Sequence, residues 1–561
     1  MLIGIDVGGT FTDGVLFAGQ EVKKAVKRPT DNNNLQTVIL GVLDDLLAAV
    51  PAHTKVQRIV LSTTLVTNLL ATGKGQRTAL IMIPGYGLPH QAYQLSADTF
   101  FMKGAIDFRG REIEPLSAAE IKNLADQLKQ MGIKRAAVAG KFSNRNRNHE
   151  DQVAKILKEE YPDLDVFLSC DISNRLNFPR RAATAYFTAM ISPEWQRFVD
   201  EVERALQQRG EGIEVHVLKA DGGTLPLETS RYFPCETIFS GPAASTMGAL
   251  ALTMDKHNSL VIDIGGTTSD LALLVEGLPL QASRGAQLMN QYTHVQAVSV
   301  RSLAIGGDSP LIYKNGRIDI LMDRIGPAAC FGGETATVTD AFNYGLSLQQ
   351  GDASRSEAYL QKLAQASSLD LDDVCTIVIQ QVVNTLVEAT DDMFKEWENE
   401  PAYRVWEVVH QRHFTLDRVV GIGAAAHSII PSVANSLQVE PFLHNYADVA
   451  NALGAAVARP TLAVYLHLDT ARSLCAVEPG GIVEECGDID KYQLVDARHL
   501  AMKYLYQLGK ERGMDDYLDD HSIFLEEQFN LIRGWDRNGR IFDIGAQVAP
   551  GLITEYQGVR R

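Results

Sequence analysis

Two short apolar runs, each broken by the same polar turn, set the pattern of this chain. Leu2-Ile3-Gly4-Ile5 leads into Asp6-Val7-Gly8-Gly9-Thr10-Phe11-Thr12-Asp13 and on to the apolar stretch Val15–Phe17. Leu260–Ile262 leads into Asp263-Ile264-Gly265-Gly266-Thr267-Thr268-Ser269-Asp270 and on to Leu271–Val275. An apolar run, a glycine turn and a second apolar run predict a β-hairpin. The frame D-x-G-G-T-x-x-D thus occurs twice, 257 positions apart (263 − 6), and predicts two halves that open alike.

Behind the first hairpin the apolar periodicity alternates between strand and helix. It predicts a third strand over Gln20–Lys27, a helix near Leu35–Ala49, strand Arg58–Leu61, a helix near Leu65–Ala71 and strand Thr78–Ile83. Helices over Ile121–Met131 and Glu150–Glu160 and strands over Arg135–Ala139 and Val166–Ser169 follow, then a long bridging helix over Arg181–Arg209. The second half repeats the plan with insertions: helices over Glu357–Ala366 and Val374–Trp397, and a buried strand Arg418–Gly421 that meets a helix start at Gly423-Ala424-Ala425-Ala426. Ala447–Ala458, with Ala450 and Gly454 four apart, suits a close helix crossing where two lobes hinge. From Thr461 on there are mixed strand signals, a helix near Arg498–Lys510 and a polar, glycine-rich end that carries no functional signal. Antiparallel opening strands followed by β-α alternation predict a mixed α/β sheet covered by helices. With 561 residues the chain exceeds one hydrophobic core.

The twin turns suit a polyphosphate. Such a ligand needs backbone N–H groups at close approach and a divalent cation. Gly8-Gly9 and Gly265-Gly266 offer positive φ and no Cβ. Thr10, Thr12, Thr267 and Thr268 add hydroxyl donors, and Asp6 and Asp263, each at a strand end, are placed to hold Mg²⁺ through its waters. Asp13 and Asp270 sit one strand-length further in. The structural reading, orienting the turn, is favoured for Asp270; for Asp13 that reading and approach to the reaction centre both stand. Gly421, Gly423 and Ala424 would let an adenine and ribose lie against backbone, or are tight packing. Asp221-Gly222-Gly223-Thr224, Ser240-Gly241-Pro242-Ala243-Ala244 and Ile305-Gly306-Gly307-Asp308-Ser309 read as tight loops near a ligand. The expected cofactors are ATP and Mg²⁺.

Charge and composition remove other classes. A formal charge of −17 without a basic tract argues against nucleic acid. No stretch of about 18 uninterrupted apolar residues and no basic leader leave neither a membrane span nor a secretory signal, and a cytoplasmic protein is expected. Six scattered cysteines form no Cys-x-x-Cys pair and read as buried thiols. His410 and His413, three apart, could share one metal but read better as a solvated helix face.

Taken together, the motifs resemble the hydantoinase A/oxoprolinase family. The matching residues are Asp6–Asp13, Ser62-Thr63-Thr64 with Thr67-Asn68 and Gly73-Lys74-Gly75, Asp221-Gly222-Gly223, Ser240–Ala244, Asp263–Asp270, and Gly332-Gly333 with Thr339-Asp340-Ala341. The resemblance implies duplicated ribonuclease H-like lobes of the actin/sugar-kinase/Hsp70 type with mixed sheets and a nucleotide cleft between them. It divides the chain into lobes 1–180 and 181–460 and a C-terminal extension 461–561. It also implies an oligomeric ATP- and Mg-dependent hydrolase subunit that phosphorylates a small cyclic amide or related carbonyl for hydrolysis, with a separate hydantoinase B-type subunit as partner. Asp308, in Gly306-Gly307-Asp308 where the family has three glycines, is a candidate base or metal partner. Other departures are Gly104–Gly110 without a histidine, Asn177-Phe178-Pro179-Arg180, and Ile422 and Ala425 ahead of the retained His427. A small-molecule kinase of the same fold, or an ATPase that remodels a partner enzyme, stands as the alternative.

Overall fold

The computed structural model describes residues 1–31, 34–207, 213–399, 415–486, 489, 491–533 and 536–560; His410 and His413 lie outside them. The first hairpin is Leu2–Val7 paired antiparallel with Phe11–Ala18, and Glu21–Pro29 adds a third antiparallel strand. Arg58–Thr63 and Glu214–Leu218 follow on the other side, both parallel to Leu2–Val7, and Thr224–Pro226 closes the edge. This is the strand order of a ribonuclease H-like lobe. Because its last strands come from residues 214–226, the sheet runs well past residue 180, and a lobe boundary there does not follow the strands.

Between those strands the chain makes a separate layer. Four parallel strands, in the order Asp165–Leu168, Arg135–Gly140, Ala79–Ile83 and Thr99–Phe101, are covered by helices Ala118–Gln130 and Asn148–Glu160. Helix Phe178–Gln207 ties this insertion to the lobe through Arg181, which is fully buried. Its guanidinium donates to Ser169 Oγ at 3.0 Å and to the carbonyls of Arg175 and Lys141, while Glu150 accepts from Ser169 Oγ and from the Gly140 and Cys170 N–H groups. A buried charge persists when its donors find acceptors, and each of the three guanidinium nitrogens has one here.

The second lobe repeats the arrangement. Ser259–Ile264 and Ser269–Val275 form its hairpin, with Arg418–Ile422 parallel to the first strand and Glu440–Phe442 beyond. The register is the same in both hairpins: Asp6 faces Asp13, and Asp263 faces Asp270.

Two helices of small residues, Ser240–Thr253 and Ala450–Val457, lie between the two sheets and merge their cores. Val15, Phe17 and Val60 of the first sheet and Val261, Ala272 and Val420 of the second pack on the same helix pair. The approach is limited by backbone. A Cβ on Gly454 would stand 2.2 Å from the Gly248 nitrogen, one on Gly248 2.4 Å from the Ala450 carbonyl oxygen, and one on Gly4 1.9 Å from the Ala452 carbonyl oxygen. The expected close crossing is present at Ala450 and Gly454.

Residues beyond 461 fold into a third unit. Five antiparallel strands, in the order Ile482–Glu485, Leu474–Glu478, Leu462–Asp469, Asp536–Val548 and His521–Arg533, are backed by helix Leu494–Glu511. The unit is stitched to the first lobe by Thr224 N–H to the Arg459 carbonyl and Thr461 N–H to the Thr224 carbonyl. The chain end returns to the core, where Tyr556 packs on Phe17 and donates to the Ala251 carbonyl at 2.8 Å.

Since two backbones meet at Gly454, Gly454→Val forces the helix pair apart and destabilises the chain by about 3 kcal/mol. A chemical-denaturation midpoint matching wild type would refute this account of the crossing.

Candidate active site

The hairpins and the helix pair converge on one amide. Asn451, in helix Ala450–Val457, donates from Nδ2 to Asp6 Oδ2 at 3.3 Å and to Asp263 Oδ2 at 3.0 Å. Ser245, one turn into helix Ser240–Thr253, donates to the same Asp263 oxygen. The paired strand ends thus bring the two expected metal-site aspartates within reach of a single side chain. Asn451 and Ser245 were not singled out by the sequence. Asn451 stands in a run of otherwise small and apolar residues, Ala450–Val457, where a buried amide is a legible signal once the crossing is known.

Negative charge accumulates here with Lys27 as its nearest cation. Burial pushes the Asp6 carboxyl up to about 7, with repulsion from Asp13 and Asp263 adding to it and the nearby Ser62 hydroxyl and the hydrogen bond from Asn451 opposing it. Burial together with Asp263 lifts Asp270 to about 6 against a hydrogen bond from Ser302. Asp13 is also raised, although Lys27 Nζ stands 2.6 Å from it. Asp6 Oδ1 and Asn451 Oδ1 are buried acceptors with no hydrogen-bond partner. Buried acceptors without donors, beside two carboxylates, fit a divalent cation. Among the described residues no three acidic, histidine or cysteine side chains stand close enough to hold a metal by themselves, so a cation there would keep water or ligand oxygens, as Mg²⁺ does.

The glycine turns serve by lacking a Cβ. None of Gly8, Gly9, Gly265 and Gly266 has a left-handed φ, contrary to expectation. Gly9 and Gly265 are exposed and leave bare backbone at the two turn tips. The second turn is buttressed by the 306–308 loop: Gly307 and Asp308 donate N–H to the carbonyls of Gly265 and Gly266 at 2.9 and 2.8 Å, and a Cβ on Gly306 would lie 2.5 Å from the Thr267 nitrogen.

Several expected roles change. Thr12 is fully buried and its hydroxyl pairs with Thr30 at 3.0 Å, while Thr30 donates to the Gly8 carbonyl; it stiffens the first turn and does not face a ligand. Thr10, Thr267 and Thr268 stay half-buried at the turns. Asp308 has both oxygens engaged, one by Arg324 Nε at 2.9 Å and the other by the Ala328 N–H at 3.0 Å, an arrangement that holds a loop instead of leaving a free base. A Cβ on Gly421 would meet Ile430 and Leu443, so this glycine is required by core packing. Gly423, at φ +88°, has no room for a side chain beside Asp263 Oδ1, and Ala424 is exposed next to it. Asp221 is buried, taken up by Lys219, Thr461 and the Gly223 N–H.

Comparison with known proteins bears on the assignment. The profile of the hydantoinase/oxoprolinase N-terminal region matches residues 2–161, and that of hydantoinase/oxoprolinase matches residues 181–464. Caprolactamase subunit alpha of Pseudomonas jessenii is 24% identical over 376 residues, 60% of this chain and 53% of that protein. The 5-oxoprolinase of Saccharomyces cerevisiae is 23% identical over 533 residues, 81% of this chain and 40% of that protein. The chain therefore spans about half the length of the curated relatives it matches. Among solved structures, nucleotide-free acetone carboxylase superposes with a TM-score of 0.69 at 18% identity, covering 98% of this chain and 87% of that one. The ATP-dependent caprolactamase of Pseudomonas jessenii gives 0.65 at 18%, covering 97% and 87%. Both show the same fold.

The raised Asp6 carboxyl has a thermodynamic consequence. A carboxyl moved from 3.8 to about 7 on folding contributes stability that is present below pH 4 and lost as pH rises through 7. Asp6→Asn removes that loss. Without nucleotide it should unfold about 2 °C above wild type at pH 8, the effect of ~1 kcal/mol, and show no such advantage at pH 4. Parallel unfolding curves at both pH values would contradict the electrostatic reading.

Proposed function

The chain belongs to the hydantoinase/oxoprolinase family, and from that premise we propose that it is the nucleotide-using subunit of an ATP- and Mg²⁺-dependent hydrolase acting on a small cyclic amide. The observation that carries this reading is the pairing of Asp6 and Asp263 through Asn451 between two glycine turns of identical register. Bound Mg·ATP would supply a phosphoryl group that turns an amide oxygen into a leaving group.

The chain's own residues position and neutralise. Asp6 and Asp263 would hold the cation through its water shell. The exposed backbone at Gly9 leaves turn N–H groups accessible to phosphate oxygens, whereas at the second turn the Gly265 N–H is already given to the Thr268 carbonyl. Asn451 and Ser245 keep the two carboxylates oriented, and Asp308 with Arg324 fixes the loop under the second turn. Gly423 and Ala424 offer backbone on which a nucleoside can rest. Lys27, drawn to Asp13, keeps positive charge at the mouth of the first hairpin.

The partner and compartment belong to the same proposal. Related proteins carry subunit designations, among them caprolactamase subunit alpha and the acetone carboxylase beta subunit, which supports a hydantoinase B-type partner and an oligomer. Free cysteines, five of them buried, and no described helix long and apolar enough to cross a membrane support a cytoplasmic setting.

The test is Asp263→Ala. It should lower Mg-dependent ATP turnover by at least ~100-fold while the circular dichroism spectrum stays native. Full turnover in the variant would remove Asp263 from the site. Release of inorganic phosphate with a ring-opened product supports the hydrolase; a stable phosphate ester would instead make the protein a kinase.

A further inference from the structure

A second polar cavity opens where the insertion, the first lobe and the C-terminal unit meet. Most of its charges are already matched. Glu478 accepts from the Asn174 N–H at 2.9 Å and from Ser173 Oγ at 3.3 Å, and faces Arg175 Nε at 3.3 Å. Arg175 also donates to the Tyr465 hydroxyl at 2.9 Å. Lys219 is shared between Asp221 and Glu236, 3.1 Å from each.

Two charged groups keep capacity, and the Thr188 hydroxyl on the same wall has no hydrogen-bond partner among the described residues. Arg512, the residue that ends helix Leu494–Glu511, lines the cavity and has no ion pair among the described residues; its guanidinium rests over the Phe233 ring at 5.5 Å. Burial lowers its pKa, as expected for a cation deprived of water. Glu236 shares Lys219 with Asp221, lends its negative charge to Arg512 across the cavity without a direct ion pair, and keeps acceptor capacity toward the cavity. An unpaired guanidinium facing a carboxylate that can accept suits a ligand with an anionic end and an N–H end.

The cavity is well placed relative to the aspartates. Ile5 and Val217 both pair with Leu61, so Asp6 and Leu218 lie one residue further along strands of the same direction. Two strand spacings of ~4.8 Å separate them, about 10 Å along the carboxyl edge of the sheet, the edge at which open α/β sheets bind ligands. A continuous segment links the two places: Pro234–Thr237 borders the cavity, and Ser245, eight residues later, donates to Asp263.

We propose that this cavity seats the substrate, a small amide that carries a carboxylate, with Arg512 meeting the carboxylate and Glu236 accepting the amide N–H. The C-terminal unit then supplies the substrate-side wall. The inference rests on the hydrolase reading above and adds where the substrate sits and which group selects it.

Two lactams that differ by one carboxylate, 5-oxoproline and 2-pyrrolidinone, test it by calorimetric titration of the full chain with a Mg-bound, non-hydrolysable ATP analogue present. Wild type should bind 5-oxoproline more tightly. Arg512→Gln should weaken 5-oxoproline about tenfold or more and leave 2-pyrrolidinone within about twofold, Arg512→Lys should fall between, and Glu236→Gln should weaken both lactams. Affinity for the analogue, measured in the same samples, reports folding; where Arg512→Gln loses it, Arg512→Lys and Glu236→Gln decide. Unchanged 5-oxoproline affinity, or an equal loss of both lactams in Arg512→Gln, overturns the cavity assignment while lactam-stimulated ATP turnover in wild type upholds the hydrolase. Binding of the analogue without either lactam in wild type overturns both.

Discussion

Everything in this molecule depends on how closely two helices of small residues cross between two sheets. The distance is set by backbone against backbone at Gly4, Gly248 and Gly454, where not even a methyl group fits. That approach puts Asn451 between strand ends that are 257 residues apart (263 − 6) and lets one amide reach both carboxylates. A larger residue at the crossing would separate the sheets by ångströms, more than hydrogen-bond geometry tolerates. Packing density and site geometry are therefore one constraint.

The site concentrates negative charge in a largely buried region with few cations. Asp6 and Asp270 are held far above ordinary carboxylate values, and acceptors of Asp6 and Asn451 find no donor. Such an arrangement costs stability in the free chain and favours whatever brings positive charge to it. The turns are the opposite case. Thr30, Gly307 and Asp308 pin them from behind, so that their tips need no rearrangement to meet an anion.

The parts that the lobes alone do not explain gather around the second cavity. The insertion contributes through the Arg181–Glu150–Ser169 network, which fixes the turn carrying Ser173 and Arg175. The C-terminal unit contributes Tyr465, Glu478 and Arg512. On the proposed reading, the duplicated lobes would hold the nucleotide and the additions the substrate.

The sequence by itself determined the elements and the twin hairpins. The helices over Leu35–Leu47, Leu65–Ala71, Asn148–Glu160 and Leu371–Glu398 lie where the apolar periodicity put them, and the shared frame fixed the matching register at Asp6 and Asp263, because these are local consequences of side-chain pattern. Tertiary structure alone decided which polar groups are still free to act. Thr12 and Asp308 look like active groups in the sequence but are consumed by Thr30, Arg324 and Ala328, whereas Asn451 and Arg512 look ordinary and become singular once their neighbours are known. Hydrogen-bond satisfaction and burial depend on contacts between distant segments, and no spacing along the chain encodes them.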